Sequence, residues 1–262
     1  MFFVISQAFA ISATVSPGDD LGSVVSSLGP GDTITFSGGT FELTDTLRIS
    51  DAVGEASNPI RLVAGNNGAV LKAIEGDTVL VLQNSQHVVI ENLIFEGGEL
   101  WETEGGGGVV IQNSTDITFQ KNRVRKVRGD LLRLGGDTAN LLIADNDLGP
   151  SSAGTGVYVG CGDASCWMSD SELTHNLVHD TGSPEQGRSG IYLEDGCQGN
   201  SIVENTVYNT TSLGVRVEST QLGDHNTIEG NAIWNTESHG IEVLGEAVVR
   251  NNVVFETGGN GI

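Results

Sequence analysis

Basic residues are scarce in this sequence. Lys and Arg together number 12 against 34 Asp and Glu in 262 residues, so the formal net charge is −22. Binding to nucleic acid or to an anionic lipid surface needs a basic face on the protein, and this composition argues against both partners. No apolar stretch reaches the length of a membrane-spanning helix, so we expect no membrane span.

Aromatic residues and prolines are also few. Aromatics make up 5% of the chain and there are five prolines, while glycine occurs 37 times. The hydrophobic fraction of 38% is sufficient for a core and argues against global disorder. Many turns, few bulky side chains and no break in composition indicate a single all-β domain.

The first residues form an apolar segment. Residues 1–13 read MFFVISQAFAISA and contain the small-residue pattern Ala8-Phe9-Ala10. Such a segment is typical of a secretory signal, although the basic start of a complete signal is missing. We therefore predict a partial signal peptide at 1–13, a folded domain at 14–262 and a secreted or periplasmic location. A buried first strand is the alternative.

A repeat is the strongest signal in the chain. Seven times an Asn is followed two residues later by an aliphatic residue, and about ten residues after the Asn comes Gly-(Ile/Val)-x-(Val/Leu). The repeated asparagines are Asn92, Asn122, Asn146, Asn176, Asn205, Asn231 and Asn252. Short strands separated by turns, at 21 to 30 residues per repeat, are typical of a parallel β-solenoid. Unrelated β-sandwich hairpins would not place these asparagines in phase.

The asparagines have a physical role in such a fold. Asn tolerates the left-handed backbone of a turn between sheets, and amides stacked from coil to coil can hydrogen-bond in a ladder. We therefore predict that five of them stack at one corner, namely Asn122, Asn146, Asn176, Asn205 and Asn231. Val24, Val25 and Leu28 predict a short helix that caps one end of the solenoid. The last repeat stops at Gly261-Ile262, so we expect a fragment whose open end favours self-association.

Three segments carry a resemblance to a known family. PGDTITFSGGTF at 30–41, SNPIRLVAG at 57–65 and VVIENLIFEGG at 88–98 resemble the first coils of secreted right-handed parallel β-helix proteins. The nearest group is that of alginate lyases and chondroitinase B, within the pectate-lyase-like superfamily, and the resemblance covers 14–262. It implies a right-handed helix and a lyase chemistry in which a Lys acts as base and an Arg one coil later assists. Arg216 matches the Arg, but 193–197, at the Lys position, contains no Lys.

The outward residues of the second strand predict a site. Alternation sends one residue in two toward solvent, and strands of successive coils lie ~4.8 Å apart. The candidate catalytic residues on this face are Arg216, Glu194 and Glu218, and the candidate substrate-binding residues are Arg133, Tyr158, Tyr192 and Glu242.

Each residue type on this face suits an acidic sugar. Arg captures carboxylates in bidentate fashion and Tyr suits sugar-ring stacking. We expect Glu194 and Glu218 to face each other, so that one of them supplies a general acid. The alternative is a solvated strand face on which Arg and Glu pair across neighbouring strands.

Two further groups of residues leave alternatives open. Half of the basic residues fall within 13 positions, where they either bind a polyanion or pair with the surplus of acids: Lys121, Arg123, Arg125, Lys126, Arg128 and Arg133. In an exported chain Cys161 pairs with Cys166, or Cys197 competes for one of them. No calcium motif is present, so no cofactor is assigned, and a divalent cation such as calcium stays open.

The sequence therefore predicts an exported carbohydrate-active β-helix protein. Its partner is an anionic polysaccharide, which it would cleave by β-elimination or by hydrolysis. The alternative function is a non-catalytic β-helix that binds glycans or serves as a surface or adhesin module.

Overall fold

The computed structural model describes residues 10–65, 68–74, 78–98, 105–162, 166–218 and 225–262. Within those ranges the chain is all-β except for one short helix, Leu21–Val25. The carboxylate of Asp20 caps this helix by accepting from the N–H of Ser23, and Leu21 and Val25 are buried against the first coils. The capping helix is therefore present, three residues earlier than predicted. No described helix is long and apolar enough to cross a bilayer.

Three parallel sheets enclose the core, and each full coil gives one strand to each of them in turn. Sheet 1 contains Ser12–Val15, Thr33–Phe36, Ile60–Ala64, Gln86–Glu91, Thr115–Gln120, Thr138–Ala139, Leu142–Ala144, Met168–Ser169, Glu172–Thr174, Ser201–Val203, Asn226–Glu229 and Ala247–Arg250. Sheet 2 contains Gly39–Leu43, Ala69–Ala73, Leu93–Glu96, Arg123–Arg125, Asp147–Leu148, Leu177–Thr181, Thr206–Thr210, Ala232–Thr236 and Val253–Thr257. Sheet 3 contains Leu47–Ser50, Leu80–Gln83, Val109–Gln112, Leu132–Gly135, Val157–Val159, Ile191–Leu193, Val215–Val217 and Ile241–Val243. The predicted parallel β-solenoid is confirmed.

Period-two alternation builds the core. In sheet 3 the inward residues Val157, Ile191 and Val215 are fully buried, and the residue that follows each of them in its strand points outward. Val243, in the last strand of this sheet, is only partly buried. The apolar surface removed from water along every coil is the main favourable contribution to folding.

The first strand overlaps the predicted signal segment. Ala13 lies opposite Ile34 in the pairing of Ser12–Val15 with Thr33–Phe36, and Val15 is buried. Residues 1–9 lie outside the described part of the chain, so most of the predicted signal is not seen. A domain boundary directly after Ala13 would cut this strand in half.

Six asparagines form a hydrogen-bonded column at the corner between sheets 1 and 2. Asn146 is typical, since its backbone N–H and its side-chain Nδ2 both donate to Oδ1 of Asn176, at 3.1 and 2.9 Å. Asn176 Nδ2 in turn donates to the carbonyl of Ile143 at 2.8 Å. The amides thus satisfy buried backbone groups. The members of this Asn column are Asn122, Asn146, Asn176, Asn205, Asn231 and Asn252.

Asn92 does not belong to the Asn column. Arg123 pairs with Ile94, which places Leu93 opposite Asn122, and the N–H of Leu93 donates to Asn122 Oδ1 at 3.0 Å. The predicted phase is therefore wrong by one residue in the first repeat. The reason is burial, because Leu93 and Phe95 point into the core and leave Asn92 exposed.

The left-handed backbone conformation was predicted for the repeated asparagines, but a neighbouring residue adopts it. It is the residue before the column asparagine that has a positive φ, for example 54° at Lys121 and 55° at Glu204. Asn92 stands one residue before the column position and itself has a positive φ of 61°. The column asparagines are therefore required for their amides, and the turn is made by the residue before them.

At five positions a glycine leaves space for a side chain of the next coil, which we call the glycine recess. A Cβ at Gly190 would overlap Cγ1 of Val207, and one at Gly214 would overlap Cγ2 of Ile233. Val207 and Ile233 are the aliphatic residues that follow column asparagines in the next coil. The same close approach recurs at Gly108, Gly156 and Gly240. The two halves of the sequence repeat therefore contact each other across successive coils.

Four rings stack on the outer face of sheet 2. His179, Tyr208, Trp234 and Phe255 lie 5.3, 4.9 and 5.6 Å apart in sequence order, and the successive ring planes are within 9° of parallel. The four rings stand three positions after Asn176, Asn205, Asn231 and Asn252. Phe95 stands three positions after Asn92, but it is buried in the core because of the shift at Asn92.

The first ring of the stack is held by two carboxylates. His179 Nε2 lies 2.9 Å from Asp147 Oδ1, and its Nδ1 lies 2.7 Å from Asp180 Oδ2. The hydrogen bond to Asp147 raises the pKa of His179 above its usual value, against the opposing effect of burial. The same hydrogen bond lowers the pKa of Asp147.

These shifts predict a pH-dependent contribution to stability. Because the folded pKa of His179 lies above the unfolded one, the charged ring stabilises fully below about pH 6.5, and this is lost as pH rises through the folded value. Asp147 contributes above about pH 4 and loses its contribution as pH falls. His179→Phe keeps a ring in the stack but removes both hydrogen bonds. We expect the gap in urea midpoint between wild type and variant to be widest at about pH 5 to 6 and to narrow as pH rises through the folded pKa of His179. A gap that does not change with pH would contradict this account.

Candidate functional site

The outward residues of sheet 3 form one continuous row. Strand register places each next to its neighbour in the adjacent coil, without a gap or a shift. We call this the sheet 3 row, and its members are Arg133, Tyr158, Tyr192, Arg216 and Glu242. The predicted outward placement of these five residues is thus what the structure shows.

In the first half of the sheet 3 row, a guanidinium group and two aromatic rings pack against one another. The Arg133 guanidinium lies over the ring of Tyr158, 4.9 Å from its centroid. Tyr158 and Tyr192 meet edge to face with centroids 5.4 Å apart. These contacts use part of the ring surface, so the tyrosines offer less face for sugar stacking than the sequence suggested. Arg133 keeps 41% of its side chain exposed.

The second half of the row is a network of charges. Arg216 lies over the ring of Tyr192 at 5.1 Å, pairs with Glu218, and has its Nε 3.3 Å from Glu242 Oε2. The Tyr192 hydroxyl donates to the other oxygen of Glu218 at 2.6 Å. Arg216 thus already faces two carboxylates of the protein, which makes Arg133 the more available arginine for a carboxylate of a ligand.

Contrary to the prediction, the Glu194 side chain does not project outward into the sheet 3 row. Its Oε2 accepts from the backbone N–H groups of Cys161 and Gly162, at 2.9 and 2.8 Å, and the residue is only 9% exposed. The expected face-to-face arrangement of Glu194 and Glu218 is therefore wrong in its contacts, since the two carboxylates have different partners. The physical reason is that the strand ends at Leu193, and beyond it alternation no longer fixes the direction of the side chain.

The cysteines resolve one of the open alternatives. Cys161 and Cys166 form a disulfide, and Cys197 is a buried thiol outside it. Burial raises the pKa of the Cys197 thiol to about 11, so it stays protonated and unreactive at neutral pH.

Both tyrosines of the row are held in the neutral form. Burial is the largest cause that raises the pKa of Tyr158 to about 12, and the nearby Glu194 adds to it. Burial also raises the pKa of Tyr192, together with its hydrogen bond to Glu218. A neutral phenol at physiological pH can donate a proton or a hydrogen bond to a ligand.

Sequence reasoning missed one acid of the site. Asp130 lies just before the strand Leu132–Gly135, with Oδ2 3.9 Å from Arg133, while its Oδ1 accepts from the N–H of Thr155 at 2.9 Å. Burial raises the pKa of Asp130. A carboxyl group of raised pKa beside an exposed arginine is typical of functional sites. The signal in the sequence was weak, because burial at this loop position depends on the neighbouring coils.

The run of basic residues is mostly paired with acids. Lys121 binds Glu91 at 3.1 Å, and Arg123 pairs with Asp147. Arg125 and Lys126 both pair with Glu96. Of the two alternatives, local pairing is the one these contacts support. Arg133 is separate from this run, since it lies on sheet 3.

A resident metal ion finds no ligand set among the residues described. No group of three or more His, Cys, Asp or Glu side chains in those ranges is arranged to hold one.

Comparisons with known proteins agree with this architecture. The family described as "Right handed beta helix region" matches residues 77–262. No curated protein is similar enough in sequence to count as a match.

Several solved structures have the same fold. An alginate lyase from Paenibacillus sp. str. FPU-7 superposes with a TM-score of 0.65 at 16% identity, covering 95% of this chain and 97% of the other. The pectate lyase Pel9A gives 0.61 at 12% identity, covering 96% and 80%. A variant of the periplasmic alginate epimerase AlgG gives 0.50 at 18% identity, covering 94% and 70%. At such identities the likeness is one of fold.

Proposed function

Since the chain belongs to the right-handed β-helix family, we propose that it is an exported carbohydrate-active protein that binds an acidic polysaccharide along the sheet 3 row. The similar structures include two polysaccharide lyases and an epimerase of alginate, which supports a polysaccharide as the ligand. The disulfide between Cys161 and Cys166 supports export, because such bonds persist in oxidising compartments.

One observation carries this proposal. The row brings an exposed arginine, two neutral tyrosines and a second, acid-paired arginine into adjacent coils on one flat face. A linear polysaccharide laid along the solenoid axis meets one of these side chains per coil. Guanidinium groups bind uronate carboxylates and phenols bind sugar hydroxyls, so the row is complementary to a polyuronide.

The same residues provide the parts of a β-elimination. Arg216 binds the carboxylate of a uronate, which makes the adjacent C–H more acidic, while Arg133, three coils away, binds the carboxylate of another sugar of the polymer. Glu218 accepts that proton as the electrons form a carbon–carbon double bond, and Tyr192 gives its phenolic proton to the leaving glycosidic oxygen. Arg216 stabilises the negative charge that develops between them. Hydrolysis is the second route, with Glu218 and Glu242 as the pair of carboxylates.

A binding module remains the second candidate function. The supporting observation is that Arg216 is neutralised by Glu218 and Glu242, as on an ordinary paired strand face. Incubation with alginate, pectate and chondroitin separates the candidates. A lyase produces the absorbance of unsaturated uronates, a hydrolase produces new reducing ends without it, and a binding module produces neither while retaining affinity.

Arg133→Ala tests the row as the binding surface. We expect an affinity for polyuronide about 10-fold lower, because a charge-assisted bidentate contact is lost. The matched control is Arg250→Ala, which removes an exposed arginine from sheet 1. Isothermal calorimetry with the best-bound polymer measures both. Equal losses in the two variants would show that binding depends on charge alone and would remove the row from the proposal.

A further inference from the structure

The column of outward residues that contains the sheet 3 row begins three coils earlier, at Arg48. Strand register places Arg48 beside Val81, and Val81 beside Val110. Val110 in turn lies beside Arg133, the first member of the sheet 3 row. Arg48 is exposed, and its inward neighbours Leu47 and Ile49 are buried. The sheet 3 row is therefore the second part of a longer outer face.

Arginine recurs in this column at every third coil. Three coils separate Arg48 from Arg133, and three more separate Arg133 from Arg216. With strands ~4.8 Å apart, each of the two intervals is about 14 Å long. The residues between the arginines carry no charge at neutral pH, and they are Val81, Val110, Tyr158 and Tyr192. Positive charge is thus presented at a regular interval.

The neighbouring outward column is neutral along the first interval. Gln83 Nε2 donates to Ser50 Oγ at 3.0 Å, and Gln112 Nε2 donates to Gln83 Oε1 at 3.0 Å. Gly135 follows Gln112 in this column. In the four strands from Leu47–Ser50 to Leu132–Gly135, the two arginines are therefore the only charged side chains of either column.

Acidic residues stand at both ends of the face. Beyond Arg216 the next residue of the column is Glu242. At the other end Arg48 borders an open cavity of about 560 Å³, whose lining includes Asp20 and Asp45. A polyanion that extends past either end is repelled, so the favourable stretch runs from Arg48 to Arg216. This stretch contains seven positions of the column.

We propose that this face recognises the spacing of charge along its ligand, and that it binds an acidic polysaccharide which presents one carboxylate to the protein for every three sugars. The inference rests on the proposed function, which places the polysaccharide along the solenoid axis with one sugar at each coil. A carboxylate at every third sugar then meets a guanidinium each time and is bound in bidentate fashion. A carboxylate held over Val81 or Val110 loses water without gaining a partner.

Two kinds of polymer have this chemistry. In the first, one sugar in three is a uronate and the other two are neutral. In the second, every sugar is a uronate, but the chain is wound as a threefold helix, which turns a carboxylate to the same side once in three sugars. A twofold ribbon turns a carboxylate to the same side at every second sugar and does not match the arginines.

The spacing is tested with two heptagalacturonates of equal charge. Both have free carboxylates on the first and seventh sugars, and the third free carboxylate is on the fourth sugar in one isomer and on the third sugar in the other. All remaining carboxylates are methyl esters. We expect wild type to bind the fourth-sugar isomer about 10-fold more tightly in calorimetry, because only its central carboxylate meets Arg133.

Two variants show whether Arg133 causes this preference. Arg133→Ala should weaken binding of the fourth-sugar isomer about 10-fold and leave that of the third-sugar isomer unchanged, so the preference disappears. Arg250→Ala, on sheet 1, should keep the preference of wild type.

Arg48→Ala tests the first position of the face. Both isomers have a carboxylate for this position, so we expect both to bind about 10-fold more weakly. An unchanged affinity for both would remove Arg48 from the face and refute the regular interval. The fully charged heptagalacturonate then separates the two kinds of polymer. Affinity equal to that of the fourth-sugar isomer indicates the threefold helix, and a lower affinity indicates a uronate at one sugar in three.

The outcomes distinguish this inference from the proposed function. If wild type binds both isomers equally and Arg133→Ala weakens both, the sheet 3 row binds polysaccharide without recognising its spacing, so the inference fails while the proposed function stands. If wild type binds neither isomer, the inference fails, and the affinity for alginate decides the proposed function separately.

Discussion

Replacing Asn176 by Leu should lower the free energy of unfolding by about 3 kcal/mol. The side chain accepts from two donors of Asn146 and donates to Ile143 and to Asn205 Oδ1. Leucine has a similar size but no polar atom, so these buried groups lose their partners where water does not reach them. The urea midpoint, combined with the slope of the transition, measures the loss.

Asn252→Leu is the matched control for that loss. Asn252 stands at the same position of the repeat and also accepts hydrogen bonds from Asn231 in the preceding coil, but its side chain is only partly buried. Solvent can therefore replace its hydrogen bonds, and we expect a loss about half as large. Asn176→Leu with a stability within about 0.5 kcal/mol of wild type would mean that the Asn column is not a major source of stability.

Tyr192→Phe should reduce kcat/KM on a cleaved polyuronide by about 10²-fold, with most of the effect in kcat. The variant keeps the ring that packs against Tyr158 and Arg216 but removes the proton shared with Glu218. Since that proton is needed only as the glycosidic bond breaks, substrate affinity should change little.

Tyr208→Phe provides the comparison for the hydroxyl. Tyr208 is stacked between His179 and Trp234 on sheet 2, so its substitution also removes one phenolic oxygen from an outer face. We expect it to retain the wild-type rate. A Tyr192→Phe enzyme of unchanged kcat would exclude Tyr192 as the acid and direct attention to Asp130, whose raised pKa suits the same task.

The sequence sufficed for those features that depend on periodicity. The strands with Tyr158, Tyr192 and Arg216 alternate strictly between small inward aliphatic residues and outward polar ones, so their shared face followed from the pattern. The Asn column was predicted for the same reason. The seven-fold phase of the repeat failed at Asn92, where the burial of Leu93 and Phe95 displaced the repeat by one residue.

Features beyond the strand ends could not be predicted in this way. Glu194 follows the last residue of its strand, and a turn of the preceding coil determines where its carboxylate goes. The raised pKa of Asp130 likewise depends on burial by neighbouring coils. In both cases the partners are about 25 to 33 residues away in sequence, which no local pattern encodes.

The glycine recess makes the coils that carry it equivalent as building units. Gly190 receives Val207, and Gly214 receives Ile233 in the same manner, whereas Leu131 stands at this position in the coil between Gly108 and Gly156. A whole coil can therefore be duplicated or lost in evolution without redesign of the core, because the new neighbours still fit. Each coil that is added or lost then adds or removes one side chain at each outward position of the strand. The number of coils therefore sets the length of the outer face, and the residue at each strand position sets the chemistry of that face separately.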